Sequence, residues 1–211
     1  MIDKIRTKVN AFISSVEEGA LAAENLVILD PTATPEPDLR VMGLFSDVSE
    51  EKVAELVQGL LYMDELNRME EDPEKHKPVE FYLSTYGGSA DDMFALYDVM
   101  RQVTSEIHTI GVGKVMSAGV LLLAAGTKGK RKIGKYCRVM IHSAMAGNHG
   151  SLPNLVNEME ALQQLQADYI EALATETKMT KEDIKKMLER KVNVYLSAEE
   201  AVELGIADII I

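Results

Sequence analysis

From residue 39 onward the chain alternates short apolar runs with longer stretches in which apolar positions recur every three or four residues. LRVMGL (39–44), VEFYLS (79–84), IHTIGV (107–112) and RVMIH (138–142) read as strands. Ser49 opens a helix with Val53, Leu56, Val57, Leu60 and Leu61 on one face. A second helix is predicted to start near Ser89, with Asp92 favouring its positive end, and a third at Ser117 within GKVMSAGVLLLAAG (113–126). Past a turn at GNHGS (147–151), Leu155, Met159, Leu162, Leu165, Tyr169 and Leu173 stay in register along one long helix. Thr180 with Asp183, and Ser197 with Glu200, mark two further helix starts. Strands alternating with helices imply parallel βαβ crossovers, so the expected fold class is α/β, in layered βαβ units.

Ahead of this pattern, residues 2–24 place Ile5, Val9, Ile13 and Val16 at helical spacing, and DPTATPEPD (30–38), with its three prolines, reads as an extended linker. The chain therefore divides into an N-terminal helix and linker over 1–38 and an α/β domain over 39–211.

Composition narrows the partners. The 211 residues carry 34 acidic against 22 basic side chains, and a net charge of −12 repels phosphate backbones, so no nucleic-acid partner is expected. The N-terminus has no apolar core of a secretory signal, and GVLLLAAG is far short of the roughly 20 residues that span a bilayer. A cytoplasmic protein with no membrane partner is expected. One cysteine, Cys137, excludes an intrachain disulfide framework and reads as a small core residue. Lys128, Lys130, Arg131, Lys132 and Lys135 read as a solvated turn or a subunit contact. His76, His108 and His149 lack a second ligand type at metal-binding spacing, so no metal or cofactor is expected.

In parallel α/β sheets, functional groups collect where strands end and helices begin. Gly87 and Gly88, Ser117 and His142 all occupy such points. Each alone has a plain structural reading: a tight turn, a helix cap, a core histidine. Together they supply what acyl transfer needs: a hydroxyl, an imidazole and N–H donors for an oxyanion. The helix starting at Ser117 would place the Ala118 N–H beside the hydroxyl, and Gly88 offers a second donor.

Four segments in order, YGGSADDMFALYDVM, GVGKVMSAGVLLLAAGTKGKRKI, RVMIHSAMAG and YLSAEEAVELGIAD, closely resemble the proteolytic subunit of the Clp protease (ClpP). The resemblance covers about residues 39–211 and keeps the spacing between the motifs. It implies the ClpP/crotonase-like fold, with a protruding helix-strand handle. It also implies Ser117 as nucleophile, His142 as general base, and Gly88 and Ala118 as oxyanion donors. Substrate would add as a strand beside Gly87, Ser89, Ala90 and Asp91, the mode of β-augmentation. Partners implied are unfolded polypeptides, further copies of the chain in two stacked heptameric rings, and a hexameric AAA+ ATPase that feeds the chamber.

The resemblance also has departures. Read back from LSAEEA, the position where the family has aspartate falls on Asn193, which can accept the His142 Nδ1–H bond but carries no charge for an imidazolium. Glu189 is the alternative acid from the same region. Tyr86 replaces a proline before the glycines. Lys114, Val115 and Met116 replace smaller residues, and Ala118 replaces methionine. Residues 1–38 do not resemble the family's N-terminal loops. The rival readings are a silent structural subunit of such a ring and an acyl-CoA enzyme of the crotonase fold.

Overall fold

The computed structural model describes residues 39–147, 149–189 and 193–211. The N-terminal helix and proline-rich linker expected over 1–38 lie outside the described residues. Among those described, the elements in chain order are β1 (Val41–Leu44), α1 (Glu50–Met69), β2 (Val79–Thr85), α2 (Ala90–Gln102), β3 (Ile107–Met116), α3 (Ala118–Ala124) and β4 (Lys132–Ile133). Then come β5 (Arg138–Ile141), α4 (Leu152–Glu176), α5 (Lys181–Glu189), β6 (Val194–Leu196), α6 (Ala198–Glu203) and β7 (Ile209–Ile210). A 3-10 turn spans Pro73–Lys75.

The strands form one seven-stranded sheet, β1-β2-β3-β4-β7, with β5 joined to β3 and β6 to β5. The parallel crossovers expected from the alternating pattern are present in every pairing but one, as β6 runs antiparallel to β5. β2 alternates buried and half-buried residues along its whole length, as a strand covered mainly on one face should. α3 is buried at every residue, which explains why its sequence is apolar all round instead of striped.

β3 positions the site. Its first half pairs with β4 through Ile110 and Gly111, and its last three residues pair with β5 through Lys114, Val115 and Met116. The register with β2 jumps between Leu83 and Thr85, where β3 carries extra residues. Such a bulge bends a strand and re-aims the residues beyond it. Here it takes the end of β3 away from β4 and onto β5, so Ser117 emerges beside the end of the RVMI strand.

Three expectations need correction. Leu61 is exposed, not part of the buried face of α1, which instead buries Asp64 and Asn67. Asp64 caps the loop after α2 by accepting from the N–H and hydroxyl groups of Thr104 and Ser105. Arg131 does not sit in a solvated turn. It is only 4% exposed and is bound to Asp208 through Nε at 2.8 Å and Nη2 at 2.6 Å. Lys128 is half-exposed, but its ammonium reaches the buried Glu176 carboxylate at 2.7 Å.

Glu176, at the end of α4, also accepts from Tyr97 at 3.0 Å and from Arg101 at 3.2 Å, while its carbonyl accepts from Arg131 at 2.7 Å. Burial and the neighbouring Glu176 charge push the Tyr97 pKa up to about 12. This hub pins the last turn of α4 to α2 and to the loop after α3. The other end of α4 is different: Leu152, Leu155, Val156 and Met159 are exposed, and the helix enters the core only towards Ile170 and Leu173. Of the helix-strand handle expected here, the helix is present, and no strand lies between β5 and α4 among the described residues. Among the described residues no helix is long and apolar enough to cross a membrane.

Candidate active site

Ser117 follows β3 directly and precedes α3, with φ 54° and ψ −123°. It is the one non-glycine residue with positive φ among those described. Such a conformation costs on the order of 1–3 kcal/mol and persists only where the surroundings impose it. Its backbone is held at both ends: the N–H donates to the Met140 carbonyl at 2.8 Å, and the carbonyl accepts from the Val120 N–H at 3.0 Å.

Ser89 accepts from the Asp92 N–H at 3.2 Å and Ser197 accepts from the Glu200 N–H at 3.2 Å, as helix-capping serines do. Ser117 occupies the same position on α3 and makes no side-chain cap bond, as Ser49 before α1 and Ser151 before α4 also make none; its positive φ is what sets it apart from all four. Ser117 lines a cleft of about 470 Å³. A strained strand-to-helix turn that exposes a serine hydroxyl is a recognised way to present a nucleophile.

Gly88 forms the cleft wall beside Ser117. Val48 donates its N–H to the Gly87 carbonyl at 2.8 Å and accepts from the Ser89 N–H at 2.9 Å. In this parallel bridge the neighbours of Gly88 face Val48, so the Gly88 N–H points to the other side, toward the cleft. The residue must be glycine: φ is 151°, and a Cβ would lie 2.2 Å from the Val48 carbonyl oxygen. The N–H of Ala118, in the first turn of α3, has no acceptor within its own helix. Gly88 and Ala118 both line the cleft with Ser117.

His142 follows β5, half-buried, and lines the same cleft. Met116 is level with Met140, so Ser117 leaves β3 level with Ile141 and His142 follows one position further along; both line the cleft. β6 brings the third residue. Its antiparallel ladder pairs Val139 with Leu196, Met140 with Tyr195 and Ile141 with Val194, so the next position along sets Asn193 opposite His142. Asn193 is exposed and does not line the cleft. Among the described residues no side-chain hydrogen bond joins Ser117, His142 and Asn193. Catalytic hydrogen bonds are often loose before substrate arrives. Glu189 does not line this cleft; it lines an adjoining hollow between α4 and α5. Asp91 is the one carboxylate on the cleft wall among the described residues.

Of the residues expected to bind substrate, Ser89, Ala90 and Asp91 line the cleft, and Gly87 backs onto Ser117; the expected oxyanion donors Gly88 and Ala118 line it too. Ser89 caps α2, and Ala90 and Asp91 form its first turn. This segment therefore presents a helix start, not a free strand edge. The cleft has lining that motif reading missed: Ser143–Ala146 after His142, and Leu162, Leu165 and Tyr169 from α4. The 3.6-residue spacing of the α4 residues was visible, but nothing in it separates a core face from a cleft face. Among the described residues no cluster of side chains fits a metal ion.

The Clp protease family model matches residues 38–211. Proteolytic subunit 1 of the ATP-dependent Clp protease of Prochlorococcus marinus subsp. pastoris is 33% identical over 172 residues, spanning 82% of this chain and 83% of that protein. Proteolytic subunit 3 of the same protease from Synechococcus sp. (strain CC9902) is 36% identical over 174 residues, 82% of each chain.

Proposed function

The chain belongs to the Clp protease family, and from that premise we propose that it is a serine endopeptidase acting on unfolded polypeptides. The observation that carries this reading is Ser117 at φ 54°, lining one cleft with His142, Gly88 and Ala118. Ser117 Oγ attacks the scissile carbonyl carbon while His142 takes its proton. The carbonyl oxygen becomes an oxyanion between the Gly88 and Ala118 N–H groups. His142 then returns the proton to the departing amine, leaving an acyl-serine ester. Water, deprotonated by His142, hydrolyses that ester and frees Ser117. Asn193, opposite His142, holds the imidazole tautomer through its amide oxygen.

Substrate lies between the Gly88–Asp91 wall and the Ser143–Ala146 segment. The exposed apolar end of α4 supports assembly with further copies into stacked rings that enclose the clefts. The relatives are named as subunits of an ATP-dependent protease, which supports a partner that uses ATP; on this reading that partner is an AAA+ unfoldase.

The neutral Asn193 favours a second reading, a ring subunit that assembles but does not cleave. One experiment decides. A fluorophosphonate should form an adduct on Ser117, located by mass spectrometry and lost in Ser117→Ala, and the protein should cleave short peptides slowly. An assembled ring that takes no label is the silent subunit.

A further inference from the structure

Tyr169, on α4, lines the cleft and donates its hydroxyl to the Ser117 carbonyl at 3.3 Å. That carbonyl belongs to the same planar peptide unit as the Ala118 N–H, and in a trans peptide the two point in opposite directions. Holding the oxygen from the α4 side therefore aims the N–H at the other side, where the oxyanion forms. A hydrogen bond to a carbonyl also polarises its own peptide N–H as a donor. The Val120 N–H already binds this oxygen, as expected inside a helix; Tyr169 is the contribution that comes from outside α3.

We propose that Tyr169 is a positioning residue for the oxyanion hole, acting through the Ser117–Ala118 peptide unit. This rests on the serine-peptidase reading above. Three further observations favour it. Ser117 needs outside restraint to stay at positive φ. Burial raises the Tyr169 pKa above the ordinary tyrosine value, so the hydroxyl remains a donor across the working pH range. The Glu176 hub fixes α4 two turns further on, so the hydroxyl is delivered from a restrained helix. At 3.3 Å the bond is long for O–H···O, which sets the expected effect at several-fold, not thousands.

The test is Tyr169→Phe, which removes one oxygen and keeps the ring. In the assembled protein, kcat for a short peptide and the fluorophosphonate labelling rate should each fall roughly three- to tenfold. KM and the melting temperature should hold. A peptide boronate, whose tetrahedral adduct carries the oxyanion, should lose affinity by the same factor, while an uncleaved product peptide should not. A residue that merely fills the cleft would move KM and product affinity together. Equal rates and equal boronate affinity in the two proteins overturn the proposal. If the wild type takes no label, the peptidase reading has failed, and crystal structures decide this one. A Ser117–Ala118 peptide rotated in Tyr169→Phe supports it, and an unmoved one overturns it.

Discussion

A Cβ added to Gly87 would lie 2.6 Å from the Cβ of Ser117 and 2.9 Å from the Met116 carbonyl oxygen. The Ser117 turn and the glycine turn are therefore in contact, so neither can change shape alone. Gly87 itself sits at φ 102°, a conformation few side chains tolerate. Gly87→Ala should cost about 1–3 kcal/mol of stability. It should also slow fluorophosphonate labelling on the order of 10²-fold, because displacing a reacting group by about 1 Å costs that much. Labelling that persists at the wild-type rate in the folded variant would show that the two turns are not coupled.

Asn193→Asp puts a charge at the position opposite His142. In a trypsin-like enzyme the reverse change lowers kcat about 10⁴-fold. Here kcat for a short peptide should rise tenfold or more, roughly, with KM little changed. A rate that stays level or falls means Asn193 does not serve His142.

Asp208→Asn leaves the buried Arg131 guanidinium without its countercharge. The expected loss is about 3 kcal/mol, read as a lower urea midpoint at unchanged slope. A loss below about 1 kcal/mol would place the pair among surface ion pairs in energetic terms.

The same carboxylate gives a pH dependence. Hydrogen bonds from Arg131 hold the Asp208 pKa below its ordinary 3.8. At Asp64 burial pushes upward, but the hydrogen bonds from Ser105 and Thr104 prevail and the pKa is again lowered. Both groups bind protons less readily folded than unfolded, so their stabilisation is complete above the ordinary aspartate value. It is lost as pH falls from there through the depressed values. Urea midpoints measured downward from pH 5 should fall steepest below about pH 4, and Asp208→Asn should flatten that slope.

Cys137 is buried, and burial pushes its thiol up to about 11. Iodoacetamide at neutral pH should modify it only on unfolding. Alkylation of the native protein at the rate of a free thiol would contradict that burial.

That Gly88, Ser117, Ala118 and His142 share one cleft was legible because they occupy the turns between recognisable elements. Each alone reads as a turn, a cap or a core histidine, and only their order and spacing together single them out. The hidden features depend on partners distant in sequence. Nothing near Arg131 foretells Asp208, so a buried ion pair read as part of a solvated basic turn. β4 and β7 have two residues each, too few for any period, and β6 has three, one of them the exposed Tyr195. Tyr169 repeats the apolar spacing of α4 and reads as core until its hydroxyl is seen against Ser117. The strained φ of Ser117 has no signature in the sequence, since serine before a helix ordinarily means a cap.

The three-pair ladder between β5 and β6 has a consequence for how the proposed peptidase would fail. His142 and Asn193 lie just past its last rung, so parting those few pairs would separate the two residues while the parallel sheet stays intact. On the peptidase reading, loss of activity and loss of fold would then be different transitions with different midpoints. The site could be switched off by a local opening far smaller than the one that melts the protein.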